Sequence, residues 1–295
     1  MDFWPLLLIG TPLGNQDDWS PRAQAMVRAA DLVLCEDTRV TGQLLAAFGI
    51  VAKQLMSYHE HNEMSRIDQV LDRLRAGERV VVLSDAGMPA ISDPGERLVA
   101  AAIEAGLKVS VIPGPTAGIA ALAVSGLSTR RFYFEGFLDA KGSGRSARLA
   151  YLATFPDTFV LFEAPHRLRK TLSDLAARGL MGRRLALCRE LTKKYEEVLY
   201  LTVEEALDYY AGKAPRGEYV LVVEGSTAFL ARRPDQKVMV DAERETLAFT
   251  RIAACRESGM KAAAIRRIIE AEFGLSRNEA YRLVLAEHDA DDVLK

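Results

Sequence analysis

Val80 to Leu83 is a run of four apolar residues that halts at Ser84-Asp85. A run this short, closed by small polar residues, reads as a strand buried on both faces of a parallel sheet. The figure recurs. Leu6 to Ile9 ends at Gly10-Thr11-Pro12, Asp31 to Cys35 at Glu36-Asp37, and Val109 to Ile112 at Pro113-Gly114-Pro115. Helical stretches lie between the runs. Ser20-Pro21 supplies a cap and first position for one, and Gly49 and Gly77 stop two others. Strand–helix alternation of this kind builds an α/β unit on a parallel sheet. Such sheets hold ligands beyond the carboxyl ends of their strands, so the segments after each run carry the functional reading.

The segment after the central run, Ala86 to Gly95, has two Gly and two Pro in ten residues and no periodicity. It is a loop in which Gly87, lacking a Cβ, lets backbone lie against a ligand. Asp85 and Asp93 bracket it, and Asp93-Pro94 reads as the cap and first position of the next helix. Thr11 to Asn15, which includes Leu13 and Gly14, and the Thr116-Ala117 turn have the same small-residue character. Together these loops suit a ligand with an adenine ring and an amino-acid-like tail. The phosphate signatures GxxxxGK[ST] and GxGxxG are absent. Glu36, Asp37 and Arg39 at one strand end offer a base or a substrate anchor, or simply acids set against a helix dipole. His59 and His61, in the polar loop Tyr58 to Glu63, have no Cys or HExxH context, so no metal is expected.

Beyond Gly126 the pattern changes. Arg131 to Phe137 alternates aromatic residues like an antiparallel strand, and Leu138 to Arg148 is basic and reads as flexible. Further strands are predicted at Thr158 to Phe162, Leu185 to Cys188, Val198 to Thr202 and Tyr219 to Val223. Helices are predicted at Arg167 to Ala177 and Val203 to Ala211. Domains are therefore expected at 1–114 and 115–230, each α/β. Ala231 to Val240 reads as a linker to a helical segment, 241–295, with helices at Ala242 to Ser258, Lys261 to Phe273 and Ser276 to Glu287. Ser276 and Glu279 form a capping box. Balanced charge there favours a packing appendage over a nucleic-acid reader. Glu163 to Arg167, including His166, and Arg189 to Lys194, including Lys193, again follow strands. With Lys141, Arg145 and Arg148 they give the second unit a local cationic edge suited to phosphates.

The formal charge is −2 over 295 residues, which excludes a globally basic nucleic-acid binder. Cys35, Cys188 and Cys255 lie far apart with no CxxC, and read as buried reduced thiols. The apolar segment at the N-terminus has no basic flank and is too short to span a bilayer, so a cytoplasmic protein is expected.

Assembled in order, TPLGN (11–15), EDTR (36–39), HEHNE (59–63), SDAGMPAISDPG (84–95), PGPTA (113–117), EAPHR (163–167), RELTKKYEE (189–197) and RGEYVLVVEG (216–225) resemble the ribosomal RNA small subunit methyltransferase I family. That family has the tetrapyrrole-methylase fold of class III S-adenosylmethionine-dependent methyltransferases. The resemblance implies 2′-O-methylation of a cytidine in the decoding region of 16S ribosomal RNA, by a homodimer with the donor in a cleft between two α/β units. It implies donor contacts at Leu13, Asp85, Met88, Thr116 and Ala117, in loops that also hold Gly14 and Gly87. Phe162 and Arg189 would close that pocket. Glu36 and Asp37 would deprotonate or align the ribose hydroxyl. Arg39, His59 and Asn62 would position the substrate, and Lys141, Arg145, Arg148, His166, Arg167, Arg189 and Lys193 would hold RNA. No metal is implied, because a sulfonium is already an activated leaving group. Two departures stand out: Met88 where the family usually has Thr, and LDAK (138–141) where LPAK is usual. The competing readings are a tetrapyrrole or diphthine-type methyltransferase on the same fold, and a ribosome-associated protein that binds without turnover.

Overall fold

The structure is a computed structural model that describes residues 4–292. The chain forms two compact units, Met1–Ser226 and Thr227–Lys295.

The first unit contains two five-stranded sheets. The first is wholly parallel and comprises β1 (Leu6–Ile9), β2 (Leu32–Cys35), β3 (Leu55–Ser57), β4 (Val80–Leu83) and β5 (Val109–Ile112), in the order β3-β2-β4-β1-β5. The central position of β4 explains its unbroken apolar text, since it has neighbours on both edges and helices on both faces. Alternate residues go to opposite sides. Leu6, Leu8, Val80 and Val82 pack under α3 (Glu63–Arg75) and α4 (Glu96–Glu104) through Val70, Leu74, Leu98 and Ala102. Leu7, Ile9, Val81 and Leu83 pack under α1 (Pro21–Ala29) and α2 (Thr38–Ala47) through Ala23, Val27 and Leu45. Strand β3, three residues long, has too little text to be legible in the sequence.

The second sheet holds β6 (Phe132–Phe137), β7 (Thr158–Glu163), β8 (Arg184–Arg189), β9 (Glu197–Thr202) and β10 (Tyr219–Val223), in the order β6-β7-β10-β8-β9. The expectation that Arg131 to Phe137 pairs antiparallel is corrected: β6 runs parallel to β7, and the remaining pairings are antiparallel. Side-chain alternation reports burial on one face and is blind to strand direction. One face of this sheet packs on α5 (Ala117–Val124), where Ala121 and Leu122 meet Val160, Ala186, Cys188 and Val222. The other packs on α6 (Ser143–Thr154), α7 (Pro165–Leu175) and α8 (Val203–Ala211) through Leu149, Leu152, Leu168, Leu172 and Ala206. Helix α6 replaces the flexible stretch expected there, because Arg145, Leu149 and Leu152 recur at helical spacing and face inward.

The linker reading at Ala231 to Val240 is also corrected. Helix α9 spans Ser226–Arg232, and α10 (Pro234–Glu257) starts two residues later with Pro at its first position. In the second unit α10, α11 (Ala262–Phe273) and α12 (Arg277–Asp292) enclose a small core of Ala248, Ile252, Ile265, Ile269, Leu283 and Val284. The amide of Ser276 donates to Glu279 Oε2 at 2.8 Å, and the Glu279 amide to Ser276 Oγ at 3.3 Å, so the expected capping box is present. No helix among the described residues is long and apolar enough to cross a membrane.

Candidate active site

The loops at the carboxyl ends of the first sheet converge on a cavity of about 800 Å³ in the first unit. Its walls also take residues from β6, the β7–α7 junction, the end of β8 and the start of β10. Two loops are locked to each other at its floor. The Thr11 amide donates to Gly87 O at 2.8 Å, and the Gly87 amide returns to Thr11 O at 3.2 Å. The Thr11 hydroxyl donates to Ser84 O at 3.1 Å. Gly87 has φ +83°, a conformation open to glycine and strained for other residues. Gly10 and Gly114 touch backbone to backbone: a Cβ on Gly10 would lie 2.6 Å from Gly114 Cα and 2.7 Å from Met88 Sδ.

Leu13, Asp85, Gly87, Met88, Thr116, Ala117 and Phe162, all singled out in the sequence, line this one cavity. Gly14 does not. It lies against the Lys193 stem, where a Cβ would come within 2.2 Å of Lys193 Cγ. Arg189 is not among the lining residues either. Its Nε donates to Arg216 O at 2.9 Å and its head pairs with Glu197, while its neighbours Cys188, Glu190 and Leu191 face the cavity.

The carboxylates divide. Glu36 lines the cavity, and burial together with the Asp85 charge raises its pKa above the ordinary range, a shift that His59 partly opposes. Asp85 is likewise raised by burial, although it accepts the Asp37 amide at 3.2 Å. Asp37 is not on the cavity wall. Its carboxylate caps α2, accepts the Arg39 amide at 2.8 Å and pairs with the Arg39 guanidinium at 2.6 Å, which lowers its pKa to about 2. Asp37 and Arg39 thus form a helix cap with its counter-ion. His59 and Asn62 are not among the residues that line the cavity. The His59 amide donates to Asn62 Oδ1 at 2.8 Å, and Asn62 Nδ2 donates to Ser57 O at 3.1 Å. His59 Nδ1 is buried with no partner among the described residues.

Asp93 lines the cavity; the sequence offered it as a carboxylate bracketing the loop and as a helix cap, not as a site residue. Helix α4 instead starts at Glu96, with Gly95 at φ +132° in the cap position. Asp93 is left in a turn where Ala90 and Ser92 also have positive φ, 68° and 59°. Burial and the neighbouring Glu36 charge push it up to about 6. A strained turn holding a desolvated acid beside a cavity is the kind of departure from local propensity that accompanies function.

The expected cationic edge is largely neutralised. Arg145 is only 3% exposed and is enclosed by Asp174, Thr171 and the Asp139 carbonyl, so its assignment to RNA is corrected to a structural one. Arg148 pairs with Glu135, Arg167 with Glu163, and Lys193 with both Glu190 and Glu218. Lys141 is exposed, and His166 is exposed at the cavity wall. Charge counting in sequence registers cations and misses the carboxylates that fold against them. Among the described residues no group of three or more His, Cys, Asp or Glu side chains could hold a metal ion.

An apolar cavity with aromatic walls and, among its carboxylates, the desolvated Glu36, Asp85 and Asp93 can hold a flat heterocycle, stabilise a cation and take a proton from a hydroxyl. The two sheets and the cleft at the carboxyl ends of the parallel strands define the tetrapyrrole-methylase class of methyltransferases, and a family model described as Tetrapyrrole (Corrin/Porphyrin) Methylases matches residues 5–207. The chain is 42% identical over 286 residues to the ribosomal RNA small subunit methyltransferase I of Synechocystis sp., covering 97% of this chain and 99% of that one. It belongs to the ribosomal RNA small subunit methyltransferase I family. Solved structures share the fold at low identity. A cobalt-precorrin-4 methyltransferase superposes with TM-score 0.58 at 19% identity, covering 75% of this chain and 95% of that one. The uroporphyrin-III C-methyltransferase of Thermus thermophilus, complexed with S-adenyl homocysteine, superposes with TM-score 0.54 at 20% identity, covering 76% and 99%.

Proposed function

We propose that this protein transfers a methyl group from S-adenosylmethionine to the 2′-hydroxyl of a cytidine in the decoding region of small-subunit ribosomal RNA, in the cytoplasm and as a homodimer. The observation that carries the reading is the convergence of Leu13, Asp85, Gly87, Met88, Thr116, Ala117 and Phe162 on one cavity that also contains Glu36. At about 800 Å³ it falls within the range of small-molecule sites, roughly 300–1,000 Å³. The family relationship supports RNA over a tetrapyrrole, because the identity to the named relative extends over 97% of the chain.

The residues present fit the donor. Leu13, Met88 and Phe162 give apolar contact to an adenosine. The first turn of α5, where Thr116 makes no side-chain cap, leaves amides for a carboxylate. Asp85, Glu36 and Asp93, which line the cavity, would set negative charge beside a sulfonium bound there. S-adenosylmethionine bound there would supply an electrophilic methyl and, on its transfer to the ribose oxygen, a neutral thioether as the leaving group. Glu36 would take the hydroxyl proton. Its raised pKa brings it closer to neutral pH, where a base is most effective. Asp37 and Arg39 hold the start of α2, and His59 and Asn62 brace the adjoining loop. Lys141 and His166 are the exposed members of the proposed RNA edge. The same proposal takes 1–114 and 115–230 as two α/β domains and 241–295 as a helical segment, whose limit at 241 falls within α10.

The test is a donor-binding titration paired with methyl transfer to small subunits that lack the modification. Micromolar binding and labelling of the RNA are expected for the wild type. Glu36→Gln should keep binding and lose about 10²–10⁴-fold in turnover. Full methylation by that variant would remove Glu36 from the proton-acceptor role.

A further inference from the structure

Strand β6 carries a feature to which the donor contacts named above assign no role. Its register against β7 slips by one residue: Phe134 faces Val160, Gly136 faces Leu161, and Glu135 is the extra residue. Strict alternation would place Phe132 and Phe134 on one face and Phe137 on the other. The bulge returns Phe137 to the face of the first two, and all three line the cavity. Gly136 allows the turn, at φ +70°, and a Cβ there would meet Ser92 Oγ at 2.9 Å. Glu135 points away and pairs with Arg148.

The result is a shelf of rings. Phe162 lies edge-on to Phe134 with centroids 5.0 Å apart, and edge-on to Phe137 at 5.5 Å. Phe137 is nevertheless 54% exposed and Phe132 39% exposed, at the rim of the cavity that also holds Glu36 and Asp93. A folding core has no use for exposed aromatic faces. A base presented singly to an enzyme does, because every base has a π-face and loses its stacked neighbours when it is extruded.

We infer that the Phe132–Phe134–Phe137 shelf stacks the heterocycle of the target nucleotide, with Phe137 as its outermost ring, and so holds the ribose hydroxyl near the cavity carboxylates. This rests on the RNA-methyltransferase reading above and adds to it a positioning residue for the RNA. Stacking tolerates any base, so the shelf sets position, and neighbouring polar groups set identity.

The experiment compares Phe137→Ala, Phe137→Leu and Phe137→Tyr in the full chain. Readouts are the KM and kcat for methylation of unmodified small subunits, the Kd for S-adenosylmethionine, and the solution mass. Phe137→Ala and Phe137→Leu are expected to lose about tenfold or more in kcat/KM for RNA. Their donor Kd and mass should match the wild type, and Phe137→Tyr should retain activity. Leu keeps apolar bulk without a ring, so its failure beside the success of Tyr separates stacking from packing. Unchanged RNA kinetics in all three variants would overturn the inference. So would a weakened donor Kd, which would put the adenine on the shelf, or a reduced mass, which would put a second copy of the chain there. A wild type that binds donor but labels no RNA would instead overturn the parent reading.

Discussion

Replacing Asp93 with Asn exchanges an ionisable carboxyl for a neutral group of the same shape, and it tests the electrostatics of the cavity. Burial lifts this side chain from 3.8 to about 6, with the Glu36 and Asp85 charges adding to the shift and a hydrogen bond from Ser84 opposing it. The folded protein thus holds the proton more tightly than the unfolded chain. The favourable contribution of the protonated acid is complete below the unfolded value near 3.8 and is lost as pH rises through about 6. A shift of about two units at 1.36 kcal/mol each sets a ceiling of roughly 3 kcal/mol. Partial solvent access at the cavity mouth reduces this to about 1–2 kcal/mol. Asp93→Asn escapes the ionisation. At pH 8 it should be more stable than the wild type by that amount, or about 2–8 °C in Tm for a unit of this size. The gap should close toward pH 4. Thermal unfolding of both proteins at several pH values between 4 and 8 gives the answer. A variant less stable than the wild type at pH 8, or a gap that does not change with pH, would refute the picture of a desolvated acid in that turn.

Three further outcomes are expected. Gly10→Ala forces a methyl against the Gly114 backbone and Met88 Sδ. It should cost about 1–3 kcal/mol in denaturant unfolding and weaken donor binding. Arg145→Ala removes the buried guanidinium that Asp174 and Thr171 share, while Asp174 keeps Lys170 and Thr171 keeps Glu163, and should cost about 1–3 kcal/mol, whereas Lys141→Ala should leave Tm unchanged and affect only RNA affinity. Asp37→Asn keeps the cap on α2 and loses only the exposed pair to Arg39. Its turnover should stay within about threefold of wild type, against the large loss at Glu36, because a group held near pKa 2 is a weak base at any working pH.

The parallel sheet was legible in the sequence because each of its buried strands is a pure apolar run with a polar stop, as at Val80–Leu83 and Leu32–Cys35. The cleft was legible for the same reason: a stop marks a strand end, and strand ends of one parallel sheet share an edge. What failed was information that a linear text does not carry. The direction of β6 depends on its partner, and side-chain alternation is the same for either direction. The fate of a cation depends on the acid folded against it, as with Arg145 and Asp174 or Lys193 and Glu218. Asp93 was misread because Asp-Pro is a sound helix start locally, while the positive φ of Gly95 moves the cap two residues on. The bulge at Glu135 was hinted at by the odd-numbered Phe137 after the even-numbered Phe132 and Phe134, with Gly136 beside it.

The product of the reaction is a single ribose methyl, and it can be read directly. Primer extension at limiting nucleotide, on small-subunit RNA from a strain deleted for this gene and from the same strain carrying it back, reads 2′-O-methylation nucleotide by nucleotide. The account predicts a single stop at a cytidine of the decoding region that vanishes on deletion and returns with the wild-type gene. Identical stop patterns in the two strains would contradict it.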